Sequence, residues 1–196
     1  MKISIFGLGY VGAVSLACLA RDGHEVTGVD LDENKVAMLR SGRSPIVEEG
    51  IQELTREVVA SGRVHVTNDV AAAVEATELS FVCVGTPAGA NGSQDLTAIR
   101  RVAEQIGAAL RAKPDRHVVV IRSTVRPGTV DDVVTPLLEQ HSGKRAGVDF
   151  GICFQPEFLR EGTSIKDYDN PPFTVVGTAD ESSEALLREL FGALQC

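Results

Sequence analysis

Three glycines carry the first chemistry the chain suggests: Gly7-Leu8-Gly9-Tyr10-Val11-Gly12 spells G-x-G-x-x-G. The run follows the β-rich stretch Lys2–Phe6 (KISIF). It precedes Val11–Arg21, where Val11, Val14, Cys18 and Leu19 recur at helical spacing. In that setting Gly7 permits a tight turn, Gly9 lets a pyrophosphate approach the backbone, and Gly12 lets helix and strand pack closely. The amides of Tyr10 and Val11 then face the pyrophosphate at the positive end of the helix. Asp30 ends a second β-rich run, Glu25–Val29, eighteen residues after Gly12. A carboxylate there accepts hydrogen bonds from the adenosine ribose hydroxyls and repels a 2′-phosphate. The expected cofactor is therefore NAD rather than NADP.

Other polar residues follow strand-like runs in the same way. Lys35 lies one turn into a helix, Glu33–Arg40, behind a capping Asp32, within reach of the adenosine ribose. A solvated helix lysine is the ordinary alternative. Thr86, in Gly85-Thr86-Pro87, and Thr124, in Ser123-Thr124-Val125, follow two further apolar runs and are placed to touch the nicotinamide side. A buried hydroxyl there needs a partner, and turn capping is the alternative role for both. Glu157 and Glu161, in Gln155-Pro156-Glu157-Phe158-Leu159-Arg160-Glu161-Gly162, are four apart and would share one face of a helix or turn. Glu157 is placed for acid–base work, with an exposed capping pair as the plain alternative. Cys18, Cys83, Cys153 and Cys196 form no C-x-x-C pair and have no His cluster beside them, so neither zinc nor any other metal is expected. They read as reduced, mostly buried thiols.

The elements that must position these groups alternate. Strands are expected at Lys2–Phe6, Glu25–Val29, Val64–Val66, Leu79–Val84, Val118–Ile121, Phe150–Phe154 and Phe173–Val176. Helices are expected at Val11–Arg21, Glu33–Arg40, Ile51–Ser61, Asp69–Ala76, Leu96–Ala112, from Pro127 to about Gln140, and Glu181–Leu194. Near-continuous apolar strands separated by helices imply an α/β, Rossmann-type, doubly wound and mostly parallel sheet with helices on both faces. The ligand crevice belongs outside the strands' carboxyl ends. One domain accounts for residues 1–196.

Composition fits that reading. Of 196 residues 43% are apolar and 23% charged, which supports a sizeable core. The 19 Lys and Arg against 27 Asp and Glu give a net charge of −8, which argues against nucleic acid or an anionic membrane as partner. No apolar run approaches the roughly 20 residues of a membrane helix, and MKISIFGLG is no signal peptide. A cytoplasmic location is expected.

Taken in order, GLGYVG, Asp30, the GTP loop, STV followed by PGT, and PEFLREG resemble the nucleotide-sugar 6-dehydrogenases, the UDP-glucose and GDP-mannose dehydrogenases. Ser44–Glu48, Gly143–Gly151 and Ile165–Pro172 look like the GDP-mannose branch. The resemblance covers the whole chain. It implies a four-electron oxidation of a sugar C6 alcohol to a carboxylate by two NAD⁺ in turn, through a thiohemiacetal and a thioester on a cysteine, within polysaccharide biosynthesis such as that of alginate. It maps cofactor contacts onto Tyr10, Val11, Asp30, Lys35, Thr86 and Thr124. It places Thr124 and Glu157 beside the reacting carbon and its water. It sets Phe158, Leu159 and Arg160, through their backbone, and Glu161 against the nucleotide sugar, with GDP-mannose favoured. Gln155 stands where the family usually carries Asn. The family's nucleophile segment, ending Cys-x-x-Lys-Asp, and its catalytic Lys and Asn do not occur here, and Cys196 lacks such surroundings. The expectation is the amino-terminal NAD domain of a longer enzyme, inactive alone, whose homo-oligomer forms through other regions. A UDP-glucose 6-dehydrogenase domain and a stand-alone, non-catalytic NAD-binding module remain as alternatives.

Overall fold

The structure, a computed structural model, describes residues 1–89 and 92–192. Seven strands form one sheet in the order β3-β2-β1-β4-β5-β6-β7. They are β1 (Lys2–Phe6), β2 (Glu25–Val29), β3 (Val64–Thr67), β4 (Leu79–Val82), β5 (Val118–Ile121), β6 (Gly151–Phe154) and β7 (Gly177–Thr178). The first six pair in parallel, and β7 runs antiparallel to β6. The chain therefore switches direction of winding between β1 and β4, as a doubly wound sheet must, and opens a crevice there.

Side-chain alternation sorts the core into two layers. Ile3, Ile5, Val26, Val118 and Val120 face one side with helices α1 (Tyr10–Arg21), α2 (Glu33–Arg40) and α3 (Ile51–Ala60). Phe6, Val29, Val82, Val119 and Ile121 face the other, against α4 (Val70–Ala76), α5 (Thr97–Ala112) and α6 (Thr135–Ser142). Both faces of the sheet are buried, which is why the strands read as continuous apolar runs. Ser4 and Ser80 interrupt the second layer, and each is fully buried. They join Thr77 and His117 in one hydrogen-bonded network: Ser4 Oγ to Ser80 Oγ at 2.7 Å, and Ser80 Oγ to His117 Nε2 at 2.7 Å. His117 Nδ1 meets the Thr77 carbonyl at 3.0 Å, so it carries the ring proton and donates.

Some expected elements are corrected. Leu79–Val84 is a strand only to Val82. Phe173–Val176 is no strand: its apolar residues suit one, but the pairing edge falls on Gly177–Thr178, opposite Phe154 and Cys153. Pro127 does not open a helix. It sits with Gly128 (φ +85°) in a turn closed by Thr129 N–H to Arg126 O at 3.1 Å, where Pro pre-sets the second position and Gly supplies positive φ at the third. The helix that follows starts as a π turn, Val130–Val134, in which Thr135 N–H bonds to Val130 O. Pro136 explains it: with no N–H and a ring that crowds the preceding turn, it cannot complete an ordinary α turn. One element was not anticipated, the short helix α7 (Ser164–Asp169). The closing helix α8 runs Glu181–Phe191 with Asp180 as its cap, its side chain accepting from Ser183 N–H at 2.8 Å. Its expected extension to Leu194 and the residue Cys196 lie outside the described residues, as do residues 90 and 91 of the loop after β4.

Candidate active site

The glycine turn is built as its residue types require. Gly7 has φ +93°, and a Cβ there would meet the Cys83 carbonyl at 2.9 Å. A Cβ on Gly12 would lie 1.8 Å from the Gly7 carbonyl, so α1 could not sit this close to β1. Gly9 differs: nothing stands within 4 Å of its Cβ direction, and that open side faces the crevice. Gly9 is also the helix N-cap and brings no side chain to it; the first turn closes with Ala13 N–H to Gly9 O at 2.9 Å. The amides of Tyr10 and Val11 are thus left for a ligand at the helix's positive end.

Asp30 is fixed on the same edge. Its Oδ2 accepts from Leu8 N–H at 2.7 Å and its Oδ1 from Asp32 N–H at 2.9 Å. Lys35 Nζ lies 3.5 Å from Oδ2, so the lysine is paired with the aspartate rather than merely solvated. Asp32 caps α2 through Asn34 N–H, which sets the turn that brings Lys35 back. These residues border a groove of about 640 Å³ between β1, β2, β4 and α5. Its shape and donors fit a dinucleotide: an open glycine, an uncapped helix end, and a carboxylate beyond them. Arg101 and Asp95 also line it and carry no sequence signal, since they come from α5 and the loop before it.

Thr86 and Thr124, far apart in sequence, meet: Thr86 Oγ1 donates to the Thr124 carbonyl at 2.6 Å. Gln94 Nε2 reaches both, at 3.0 Å to Thr86 Oγ1 and 2.6 Å to Thr124 O. Gln94 was not anticipated. Thr124 is exposed, not buried as expected; the buried hydroxyl is that of Ser123, which donates to Val84 O at 2.7 Å.

The stretch after β6 is irregular, so the spacing of Glu157 and Glu161 makes no shared helical face. Glu157 Oε2 accepts from Leu159 N–H at 2.7 Å, the local capping that was its plain alternative. Glu161 is exposed. The Arg160 guanidinium is engaged by Asp167, Nη2 to Oδ1 at 2.6 Å and Nε to Oδ2 at 3.1 Å. That bond, with further donors from Arg160 N–H and Thr163, holds the Asp167 carboxyl well below the usual range. Arg160 is thereby left to present backbone. Gln155 is buried; it accepts from Arg122 Nη1 and donates to Pro156 O at 2.8 Å. Arg122 is itself only 5% exposed, stacked 5.6 Å over the Phe81 ring. A second cleft of about 360 Å³ includes Arg122, Gln155, Glu157 and Phe158 in its lining. Cys83 feels both charges: burial pushes its pKa up to about 12, while Arg122 lowers it and Glu157 raises it.

Comparison with known proteins agrees with this fold. Residues 1–195 match the family model described as UDP-glucose/GDP-mannose dehydrogenase family, NAD binding domain. The chain is 56% identical over 194 residues to GDP-mannose 6-dehydrogenase of Azotobacter vinelandii, covering 99% of this chain and 44% of that protein. It is 42% identical to a UDP-glucose 6-dehydrogenase of Haloferax volcanii, covering 99% of this chain and 45% of that one. The crystal structure of a ternary complex of GDP-mannose dehydrogenase from Pseudomonas aeruginosa superposes with a TM-score of 0.98 at 53% identity, covering 100% of this chain and 45% of that chain. The chain thus spans less than half the length of the curated relatives it matches. With the doubly wound sheet, the glycine turn and Asp30 in place, the chain belongs to the UDP-glucose/GDP-mannose dehydrogenase family, as its NAD-binding domain.

Proposed function

We propose that this chain is the cofactor half of a GDP-mannose 6-dehydrogenase, converting GDP-mannose, two NAD⁺ and water into GDP-mannuronate, two NADH and protons. The carrying observation is the groove at the direction switch, with an open Gly9, an uncapped α1 and Asp30 held by Leu8 N–H. Identities of 52–56% to GDP-mannose 6-dehydrogenases, against 42% and 36% to two UDP-glucose 6-dehydrogenases, support the GDP-mannose substrate. The second reading, UDP-glucose, rests on those lower identities.

The NAD⁺, when bound, supplies the hydride acceptor. The Tyr10 and Val11 amides bind its pyrophosphate. Asp30 and Lys35 hold the adenosine ribose, and the Asp30 charge excludes a 2′-phosphate. Thr86 and Thr124 border the nicotinamide end, and their mutual hydrogen bond fixes the two loops that flank it. Thr124 and Glu157 orient the sugar's C6 group and the hydrolytic water. Glu161 and the Phe158–Arg160 backbone hold the nucleotide sugar. The nucleophilic cysteine belongs to a segment this sequence does not include, so the chain alone does not turn over substrate. The whole enzyme is cytoplasmic and homo-oligomeric, and its product feeds a uronate polysaccharide such as alginate. Among the described residues no helix is long and apolar enough to cross a membrane.

Calorimetric titration tests the cofactor assignment. NAD⁺ is expected to bind more tightly than NADP⁺ by about 1–3 kcal/mol, the span for hydrogen bonds to a charged group. Equal affinities would reject the role of Asp30. Assay of the complete enzyme with GDP-mannose and UDP-glucose tests the substrate, with GDP-mannose expected to have the higher kcat/KM. Complete enzyme that binds NAD⁺ but oxidises neither sugar would favour the non-catalytic module.

A further inference from the structure

Glu48 lies in the irregular stretch between α2 and α3, beside Val47, whose side chain is wholly in solvent. A carboxylate in such a place is ordinarily free. This one takes three donors: the Tyr10 hydroxyl and Gly162 N–H (2.8 Å) on Oε2, and Ser164 N–H (3.0 Å) on Oε1. The donors come from segments 38 and 114 to 116 residues away. The stretch that carries Glu48 is itself braced. Gln52 of α3 accepts from Ser44 N–H at 3.1 Å and donates to Gly42 O at 3.0 Å. Ionic acceptors of this kind make the stronger hydrogen bonds.

The partners give the arrangement its meaning. Tyr10 is the first residue of α1, and its amide is one of the two proposed for the pyrophosphate. Gly162 and Ser164, the latter the first residue of α7, directly follow the segment Phe158–Glu161, proposed for the nucleotide sugar. The Arg160–Asp167 pair ties that segment only to α7. At the cofactor end, the tie is the Tyr10 hydroxyl, which reaches Glu48 and, at 3.5 Å, the Arg160 carbonyl. We infer that Glu48 is a positioning residue whose carboxylate holds the nucleotide-sugar segment in register with the cofactor turn. The inference rests on the proposed function, since both sites it joins are assigned there. A misplacement of about 1 Å between reacting centres can cost about 10²-fold in rate, while groups that bind the cofactor alone keep their geometry.

The test uses the complete enzyme with Glu48→Ala, Glu48→Gln and Tyr10→Phe. Glu48→Ala is expected to lower kcat/KM for GDP-mannose by about 10²-fold. It should also raise the isotope effect with the C6-deuterated sugar and leave NAD⁺ affinity within about twofold. Glu48→Gln falls between, because its amide nitrogen cannot accept from a backbone N–H. Tyr10→Phe, which removes the hydroxyl's bond to Glu48 and its long contact to the Arg160 carbonyl but leaves both backbone N–H donors on Glu48, gives the smallest loss. Hydrogen exchange at the Gly162 and Ser164 amides should speed by at least about tenfold in Glu48→Ala, as hydrogen-bonded protection is lost. Unchanged exchange at those amides, an unchanged kcat/KM, or an equal loss of NAD⁺ affinity and melting temperature would overturn the inference. A wild type that oxidises neither GDP-mannose nor UDP-glucose defeats the proposed function instead; the exchange result then still decides whether Glu48 holds the segment.

Discussion

Cys18 is fully buried and Cys83 partly so, and desolvation pushes each thiol up to about 12. Burial raises Cys153 as well. Only the thiolate attacks or is alkylated. Brief iodoacetamide treatment of the folded chain at mildly alkaline pH is therefore expected to leave these three unmodified, and denaturant should expose all of them. Mass spectrometry reads the result; rapid labelling of native Cys83 would contradict it and reopen a catalytic cysteine within this half. Glu157 gives a second expectation at this scale. Its Oε2 already accepts from Leu159 N–H, and Gln at this position keeps that acceptor. Glu157→Gln should preserve the loop and slow thioester hydrolysis in the complete enzyme by about 10²–10⁴-fold. Covalent adduct would then accumulate as added mass on the intact protein. An unchanged steady-state rate would remove Glu157 from the reaction.

The first βα turn separates stability from binding within three residues. Gly12→Ala puts a Cβ into the Gly7 carbonyl, so β1 and α1 must part; roughly 3 kcal/mol or more should be lost in urea unfolding. Gly9→Ala meets nothing within 4 Å and should unfold within about 1 kcal/mol of wild type, since surface changes rarely matter more. It should nonetheless lose most NAD⁺ affinity, because the added methyl stands where the pyrophosphate arrives. A Gly9→Ala protein that binds normally would move the cofactor off this turn. This turn was legible because its requirements are local: a positive φ, a close contact and an open side follow from three glycines and their spacing. Pro127 and Pro136 show the limit. Each is a plausible helix opener by residue type, but Gly128 turns the first into a tight turn, and the second sits one turn too late and widens the helix. Phe173–Val176 fails for another reason: strand-like content does not say which residue meets the edge of β6. The roles of Glu48, Gln94 and Arg101 arise from contacts between distant segments, and the resemblance that marks Ser44–Glu48 assigns its glutamate none. Nothing local distinguishes Glu48 from its neighbour Glu49.

Taken whole, the molecule keeps one histidine neutral at the base of its sheet. Burial, then the nearby Lys113 charge, lowers His117 from its ordinary 6.5 to about 3. In that window the unfolded chain binds a proton that the folded chain refuses, so stability rises with pH between these values and is complete above 6.5. Acidification should therefore lower the melting temperature from about pH 6.5 downward. Further loss should follow as Asp167 and Asp180, whose pKa values are lowered in the fold, take up protons. His117→Gln should flatten the upper part of that curve, although it costs some stability at neutral pH by disturbing Ser80 and Thr77. An unaltered acid limb would show that His117 already carries its proton in the fold.

The central strand acquires its two neighbours at very different times. Lys2 to Phe6 of β1 pair with Glu25 to Val29 of β2 about 23 residues on, but Ile3 pairs with Leu79 of β4 only 76 residues later. At synthesis rates of about 5–20 residues per second, β1 waits roughly 3–11 s between its first neighbour and its second. Throughout that interval Ile3, Ile5 and Phe6, three of the most buried side chains of the finished fold, lie along an unpaired strand edge. The ribosome-bound nascent chain is thus a stage at which this protein carries an open apolar strand edge, the kind of surface that invites aggregation.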